Sequence, residues 1–390
     1  MASTMVEISQ PQMALRSRLA QFLGWIVLLG TVFIFALAPR GPGKYAVYGT
    51  YWESGNAAIH GLNPYAAYPE TGKVDYSFYG GHAATPDFNL NPPILLPYFQ
   101  LLAHLTISRF IVLQIFISAL WFAAATLLIG HGLQGRQAIC LLASVMVIGA
   151  ISTGQIYGLL FFLSTLAWKF HKRGWALQCA ACIGLLVAIK PTFLFWPVIL
   201  FFAGYRRSAM LSVTASTLFS AAPLLLYGPE VYREWIAALA HDPHWIDRRN
   251  IALMPFFTRL GHTTIGVTVA AVVAAALLAY AWKYRPSFDA ASGIGITAGI
   301  LCAPLGWCAY VLIVAPFFVA RRWNWLDTLA ASIFFIPLPL GELANGIAYL
   351  LPLLLILSSF LLVHRHPTLP DNSSADILRL NDRSDAVESR

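Results

Sequence analysis

The sequence predicts an all-α polytopic membrane protein: a bundle of about 12 transmembrane helices, within a range of about 10 to 13, with a long first extracytoplasmic loop. Three observations carry that expectation. The chain is 58% hydrophobic and 11% charged, whereas a soluble domain carries about 25% charged residues. So little charge leaves a globular surface without polar cover, and a lipid-facing surface resolves the shortage. Apolar runs follow one another to about residue 363. Basic residues gather in the short links between those runs, which is the signal that orients membrane helices.

Residues 1–19 read as a cytoplasmic N-terminus, with Arg16 and Arg18 ahead of a first span at 20–39. Ala-Pro-Arg follows that span and no small-residue cleavage site does, so it reads as a retained anchor. Residues 40–91 are a polar stretch set in a hydrophobic chain. Within it Tyr45 to Gly61 has the pattern of a helix lying on the membrane surface, with Tyr48, Trp52 and Ile59 near one face. Asn63-Pro64 reads as a turn.

The run 92–107 contains Pro97 and reaches only about 24 Å as a helix, short of the ~30 Å hydrocarbon core, so it dips in or lies in the interface. Further runs lie at 110–130, 137–152, 155–170, 175–189, 191–204, 208–227, 263–282, 287–303, 306–320, 325–340 and 344–363. The pair at 175–204 is short for two spans. Residues 20–363 form the membrane-embedded domain, 228–262 a second outer loop, and 364–390 a disordered cytoplasmic tail.

The links Lys169–Arg173, Arg206–Arg207, Lys283–Arg285 and Arg321–Arg322 are all assigned to the cytoplasm. The remaining links then share the outer face: the first loop, Gly154-Gln155, Lys190-Pro191, the second loop and Pro304 to Trp307. Polar groups collected at one face point to a site there and not to a pore. The net charge of +8 follows from topology and implies no nucleic-acid partner. Cys179 and Cys182 have redox or metal spacing, but without a second pair they read as small core residues.

Lys190 ends an apolar run and suits a lipid phosphate, although a lysine snorkelling from a helix end looks the same. Asp87 and Glu53 are rival general bases; the plain alternatives are a turn or cap for Asp87 and a solvated helix face for Glu53. Gln155 can hold a sugar or phosphate, or simply another helix. Asn63, Tyr65, Asn89 and Asn91 can line a polar pocket, and Trp307 can stack on a sugar ring. Arg248 and Arg249 can assist at a phosphate. His241, Asp242, His244 and Asp247 fit no strong metal motif, and no metal is expected. P-loop, dinucleotide and Gly-x-Ser-x-Gly signatures are all missing from the sequence.

Taken in order, Tyr51-Trp52, Gly61-x-Asn63-Pro64-Tyr65, Asn91-Pro92-Pro93, Gly154-Gln155, Lys190-Pro191 and Pro304-x-x-Trp307 resemble glycosyltransferase family 87 over about residues 20–340. The resemblance implies the GT-C architecture, with a catalytic first outer loop. It implies a polyprenyl-phosphate sugar, typically mannose, as co-substrate with no other cofactor, and a lipid-linked or envelope glycan as acceptor. It also implies a multi-pass protein of the plasma (bacterial inner) membrane, working at the extracytoplasmic face among membrane lipids. Tyr51, Trp52, Asn63, Tyr65, Asn89, Asn91, Gln155 and Trp307 would then bind substrate, and Lys190, Arg248 and Arg249 the donor phosphate. The chain departs from the family at Val47, where such enzymes place an early Asp; no acid lies between Arg40 and Tyr51. Two other classes stay open: a lipid-linked-sugar flippase or transporter, and a non-catalytic envelope-assembly subunit.

Overall fold

The computed structural model describes residues 46–66, 88–129, 137, 155–241, 250–319, 323–335 and 345–363. These residues are helical, with no strand among them. The α-helices are α1 Ala46–Ile59, α2 Leu96–Leu102, α3 Ile107–Ile129, α4 Tyr157–Lys172, α5 Ala176–Ile189, α6 Phe195–Phe202 and α7 Arg206–Tyr227. They continue as α8 Glu230–His241, α9 Leu253–Arg259, α10 Thr263–Tyr284, α11 Phe288–Cys302, α12 Val311–Val319, α13 Trp325–Phe335 and α14 Asn345–Val363. Single 3-10 turns at Pro93–Leu95, Pro191–Leu194 and Cys308–Tyr310 lead into α2, α6 and α12.

Three of these helices, α3, α7 and α10, are long and apolar enough to cross a bilayer. The expected count of about 12 is not reached by the described residues. Several runs expected to span fold as shorter pieces: α5 has 14 residues, α11 has 15 and α12 has 9. At 1.5 Å per residue none of these reaches ~30 Å. Proline sets the breaks. Pro191 follows α5 and Pro304 follows α11, and neither has an N–H to continue a helix. The segment 92–107 gives a helical run of residues 93–102, too short to cross. The first span 20–39, nearly all of 137–152, the end of 325–340 and the tail lie outside the described residues.

The helix expected over Tyr45 to Gly61 is present, and a further polar stretch holds helix that its composition did not announce. The first loop contains α1, and 228–262 contains α8 and α9. Helix α8 is amphipathic: Val231 and Ala238 are buried, while Glu230 and Arg233 pair in the open at 2.9 Å. Gly228, in a left-handed backbone (φ 74°), ends α7 and turns the chain into it.

Helices in lipid gain nothing from hiding apolar surface from water, so close packing and hydrogen bonds must hold them. At Gly299 a Cβ would meet the Thr192 carbonyl at 2.7 Å, so α11 lies directly on the link before α6. Outward, Leu225, Leu177 and Leu101 are exposed, as a lipid-facing wall requires. On α5, Cys179 is buried, Cys182 is half-buried and both thiols are free.

The contacts give the bundle two distinct ends. At one end meet the start of α4, the α5–α6 link, the segment 250–263 and the α11–α12 link; Thr192 Oγ1 donates to Leu305 O at 3.2 Å, and Asn250 Nδ2 to Pro304 O at 2.9 Å. At the other end meet the links after α4, α6 and α10. There the His171 ring stacks on Phe288 at 3.5 Å, Tyr205 meets Phe288 edge-on, and Lys172 pairs with Asp289 at 2.9 Å.

Candidate functional site

Helix α1 is fixed to the first end by its own sequence. Gly55 lets it approach α2 so closely that a Cβ would sit 2.2 Å from Phe99 O. One turn earlier, the Tyr51 ring stacks on Phe99 with centroids 4.4 Å apart. Trp52 Nε1 donates to Leu105 O at 2.9 Å, just before α3. This docking buries Thr50, Tyr51, Glu53, Ser54 and Ala57. The expected surface helix is therefore packed onto the bundle, and Glu53 is not on a solvated face: the residue is 3% exposed. The reason is geometric: Tyr51 and Gly55 seat one side of α1 on α2, and on the other side the returning chain at Asn63, Pro64, Ala66 and Asn89 closes over Glu53 and Ala57.

After α1 the chain turns back. Asn63 is exposed, and its Oδ1 accepts from Tyr65 N at 2.7 Å, a side-chain turn that sends Tyr65 inward. Tyr65 OH donates to Asn91 O at 3.1 Å. Burial, with Tyr232, Tyr227 and Glu234 nearby, holds this phenol well above its ordinary range, so it stays a donor. Asn89 Nδ2 donates to Ser54 Oγ at 2.8 Å, and Asn89 Oδ1 accepts from Asn91 N at 3.1 Å and Asn91 Nδ2 at 3.0 Å. Trp235 Nε1 of α8 donates to Leu90 O at 3.2 Å, covering this strand of contacts from the second loop.

Thr50, Glu53, Ser54, Ala57, Asn63, Pro64, Ala66 and Asn89 line a small pocket that is partly open. The space enclosed is about that of one water-sized group, so it admits a single hydroxyl and not a whole sugar or lipid. Its chemistry is a carboxylate among hydroxyls and amides, able to orient a hydroxyl group and to accept a proton. Asp87, Gly154, Arg248 and Arg249 lie outside the described residues, as do Asp242, His244 and Asp247. By sequence Asp87 is two residues before Asn89.

A second limb runs from the same helix. Tyr51 OH donates to Gln155 Oε1 at 2.9 Å. Two residues on, Tyr157 meets the Tyr310 ring edge-on at 5.5 Å, and Tyr310 meets Phe193 at 5.2 Å. Phe193 N in turn donates to Lys190 O at 3.0 Å. Lys190 itself stands in the link outside both α5 and α6, in extended backbone (φ −139°, ψ 91°). Among the described residues no carboxylate pairs with its ammonium. Burial lowers that group from the ordinary lysine range to about 8.

The limb closes on Asn250, which sequence reasoning did not single out. Its Oδ1 accepts from Gly306 N at 2.8 Å and Ala252 N at 3.3 Å, its Nδ2 donates to Pro304 O, and its backbone O accepts from Arg259 Nη1 at 2.9 Å. Asn250 thus pins the 304–307 link, where Trp307 is half-buried and bridges to Asn250 through the backbone. Thr50, Ser54 and Arg259 were also missed. One signal for Asn250 existed: an Asn three residues ahead of α9 has the chemistry to bond the backbone N–H two residues on.

The model of glycosyltransferase family 87 matches residues 89–304, more than half of the chain. The match starts at Asn89, takes in Asn91, Gln155, Lys190, Asn250 and Arg259, and ends at Pro304. Helix α1 with Tyr51 and Glu53 precedes it. No curated protein and no solved structure matches the chain.

Proposed function

The chain belongs to glycosyltransferase family 87, and on that premise we propose that this membrane glycosyltransferase is a GT-C hexosyltransferase that moves mannose from a polyprenyl-phosphate donor to a lipid-linked or envelope glycan, at the extracytoplasmic face of the plasma membrane. The acceptor hydroxyl attacks the anomeric carbon of the donor sugar. The bond from that carbon to the phosphate oxygen breaks, and polyprenyl phosphate leaves with the bonding electrons. One displacement inverts the configuration at the anomeric carbon. Glu53 or Asp87 takes the hydroxyl proton as the attack proceeds.

Lys190 is the point charge that meets the leaving phosphate, with Arg248 and Arg249 as helpers from the second loop. Asn63, Asn89 and Ser54 orient a sugar hydroxyl in the pocket. Tyr51 and Gln155 link that pocket to the lysine limb, and Trp307 offers a stacking face. Asn91 and Tyr65 hold Asn89 and its turn from behind.

The observation that carries the reading is the burial of the Glu53 carboxylate in a small polar pocket whose helix is hydrogen-bonded, through Tyr51, to Gln155. It is tested with purified protein in liposomes holding a radiolabelled polyprenyl-phosphate mannose and a lipid acceptor. Label passes to the acceptor with wild type. Glu53→Gln or Asp87→Asn, whichever is the base, loses about 10²- to 10⁴-fold in kcat. Full activity in both variants rejects the base assignment; flipping of the donor across the bilayer without transfer rejects the enzyme.

A further inference from the structure

The end of the bundle remote from the pocket carries a different chemistry. Lys172 and Arg173 follow α4, Arg206 and Arg207 open α7, and Lys283 and Arg285 close α10; all six are exposed. The contacts of His171, Tyr205, Phe288 and Asp289 draw these three links together. One acid of the described residues lies in these links, and it is occupied. Asp289 is taken by Lys172, while Asp327, outside them at the start of α13, is buried and accepts from Asn324 N at 2.9 Å. The excess positive charge therefore faces outward.

Aromatic rings alternate with the cations. The Arg173 guanidinium lies 5.3 Å from the Trp175 ring, Arg206 5.7 Å from Phe201, and the Lys283 ammonium 5.2 Å from Tyr284. Trp175, Trp282 and Tyr284 are exposed. Such rings settle at the head-group level of a bilayer, and a ring beneath a cation directs it towards the same layer. Arg285 adds an independent sign. Among the described residues it is the only non-glycine in left-handed backbone (φ 44°), at the C-terminus of α10 where glycine would be unstrained. A charged side chain stands at a position whose backbone disfavours it.

We propose that this collar of cations and aromatic rings is a binding surface for the head groups of anionic phospholipids, engaged by the links after α4, α6 and α10 together. Each phosphate is met by guanidinium groups, and the one carboxylate among the described residues of these links, Asp289, is already paired with Lys172. The surface is separate from the pocket, and its test needs no transfer activity, so its failure and that of the proposed function are read apart.

The full chain is placed in nanodiscs of phosphatidylcholine with an equal share of phosphatidylglycerol, and the lipid it retains is counted by native mass spectrometry. Wild type retains the anionic lipid several-fold in excess. In 1 M salt, where screening acts within about 3 Å, most of that excess disappears. The variant Arg173→Gln, Arg206→Gln, Arg207→Gln loses most of it at low salt, each cation counting for about fivefold at most. Arg285→Gly alone lowers the excess while leaving the unfolding temperature equal or higher, because glycine suits φ 44°. Equal retention of both lipids by wild type overturns the proposal. So does an undiminished excess in both variants, and so does capture of soluble polyglutamate without any lipid preference, which would mark an acidic protein partner.

Discussion

At the residue scale, Glu53, Lys190 and Asn250 behave differently from what their types alone suggest. Glu53 was legible as an acid in a polar stretch, yet its burial was not, because its cover at Asn63, Pro64, Ala66 and Asn89 folds back from further along the chain. Asn250 was hidden for another reason: its partners Pro304 and Gly306 are 54 and 56 residues away. Replacing it by Ala leaves the Gly306 N–H buried without its acceptor, a cost of about 1–3 kcal/mol; the expected outcome is a lower unfolding temperature with little change in Asn250→Ser only if the hydroxyl reaches the same N–H, read by thermal unfolding in detergent. Lys190 makes a pH prediction. With its ammonium held near 8, it is charged below that value and neutral above. An anionic donor favours the charged form, so donor affinity is full below about pH 8 and falls as pH rises through it. The donor KM should rise on the alkaline side in wild type. In Lys190→Ala it should be about 10- to 100-fold higher at neutral pH and lose that slope. The same alkaline slope in Lys190→Ala would assign the titration to another group.

At the scale of elements, the sequence places most apolar helices within two or three residues: 208–227 becomes Arg206–Tyr227, and 263–282 becomes Thr263–Tyr284. Apolar composition locates a helix but does not fix its depth. Prolines at 191 and 304 cut runs that hydropathy joins, and the resulting links carry the polar groups. Helix α8 escaped because its residues average out as polar, and only the spacing of Val231, Trp235 and Ala238 along it shows an inner face. The α1–α2 contact is the most exacting of these joints. Gly55→Leu has no room beside Phe99 O, so α1 must move away and expose the Tyr51–Phe99 stack. The expected effect is a destabilisation of about 1–3 kcal/mol together with loss of transfer. Protease protection of α1 in membranes reports it, and unchanged protection would show that α1 does not dock here.

At the scale of the whole molecule, the bundle is polar from end to end. One end gathers Tyr51, Glu53, Asn89, Gln155, Lys190, Asn250 and Trp307 from five separate stretches of chain. The other gathers arginines, lysines and aromatic rings. The grouping of links into two sets was legible in the sequence, because basic residues recur at every second link. Which side chains of a set touch was not legible, since that depends on how links of different length fold over one another. The polarity makes the placement of the donor the decisive question. A polyprenyl-phosphate sugar carrying a photoactivatable group on its first isoprene unit, irradiated with the protein in liposomes, maps the phosphate by mass spectrometry of the cross-linked peptides. Cross-links should fall in the peptides around 46–66 and 186–194 and weaken in Lys190→Ala. Cross-links confined to 169–175, 203–207 and 283–289 would place the donor at the opposite end and contradict a sugar-transfer site built around Glu53 and Lys190.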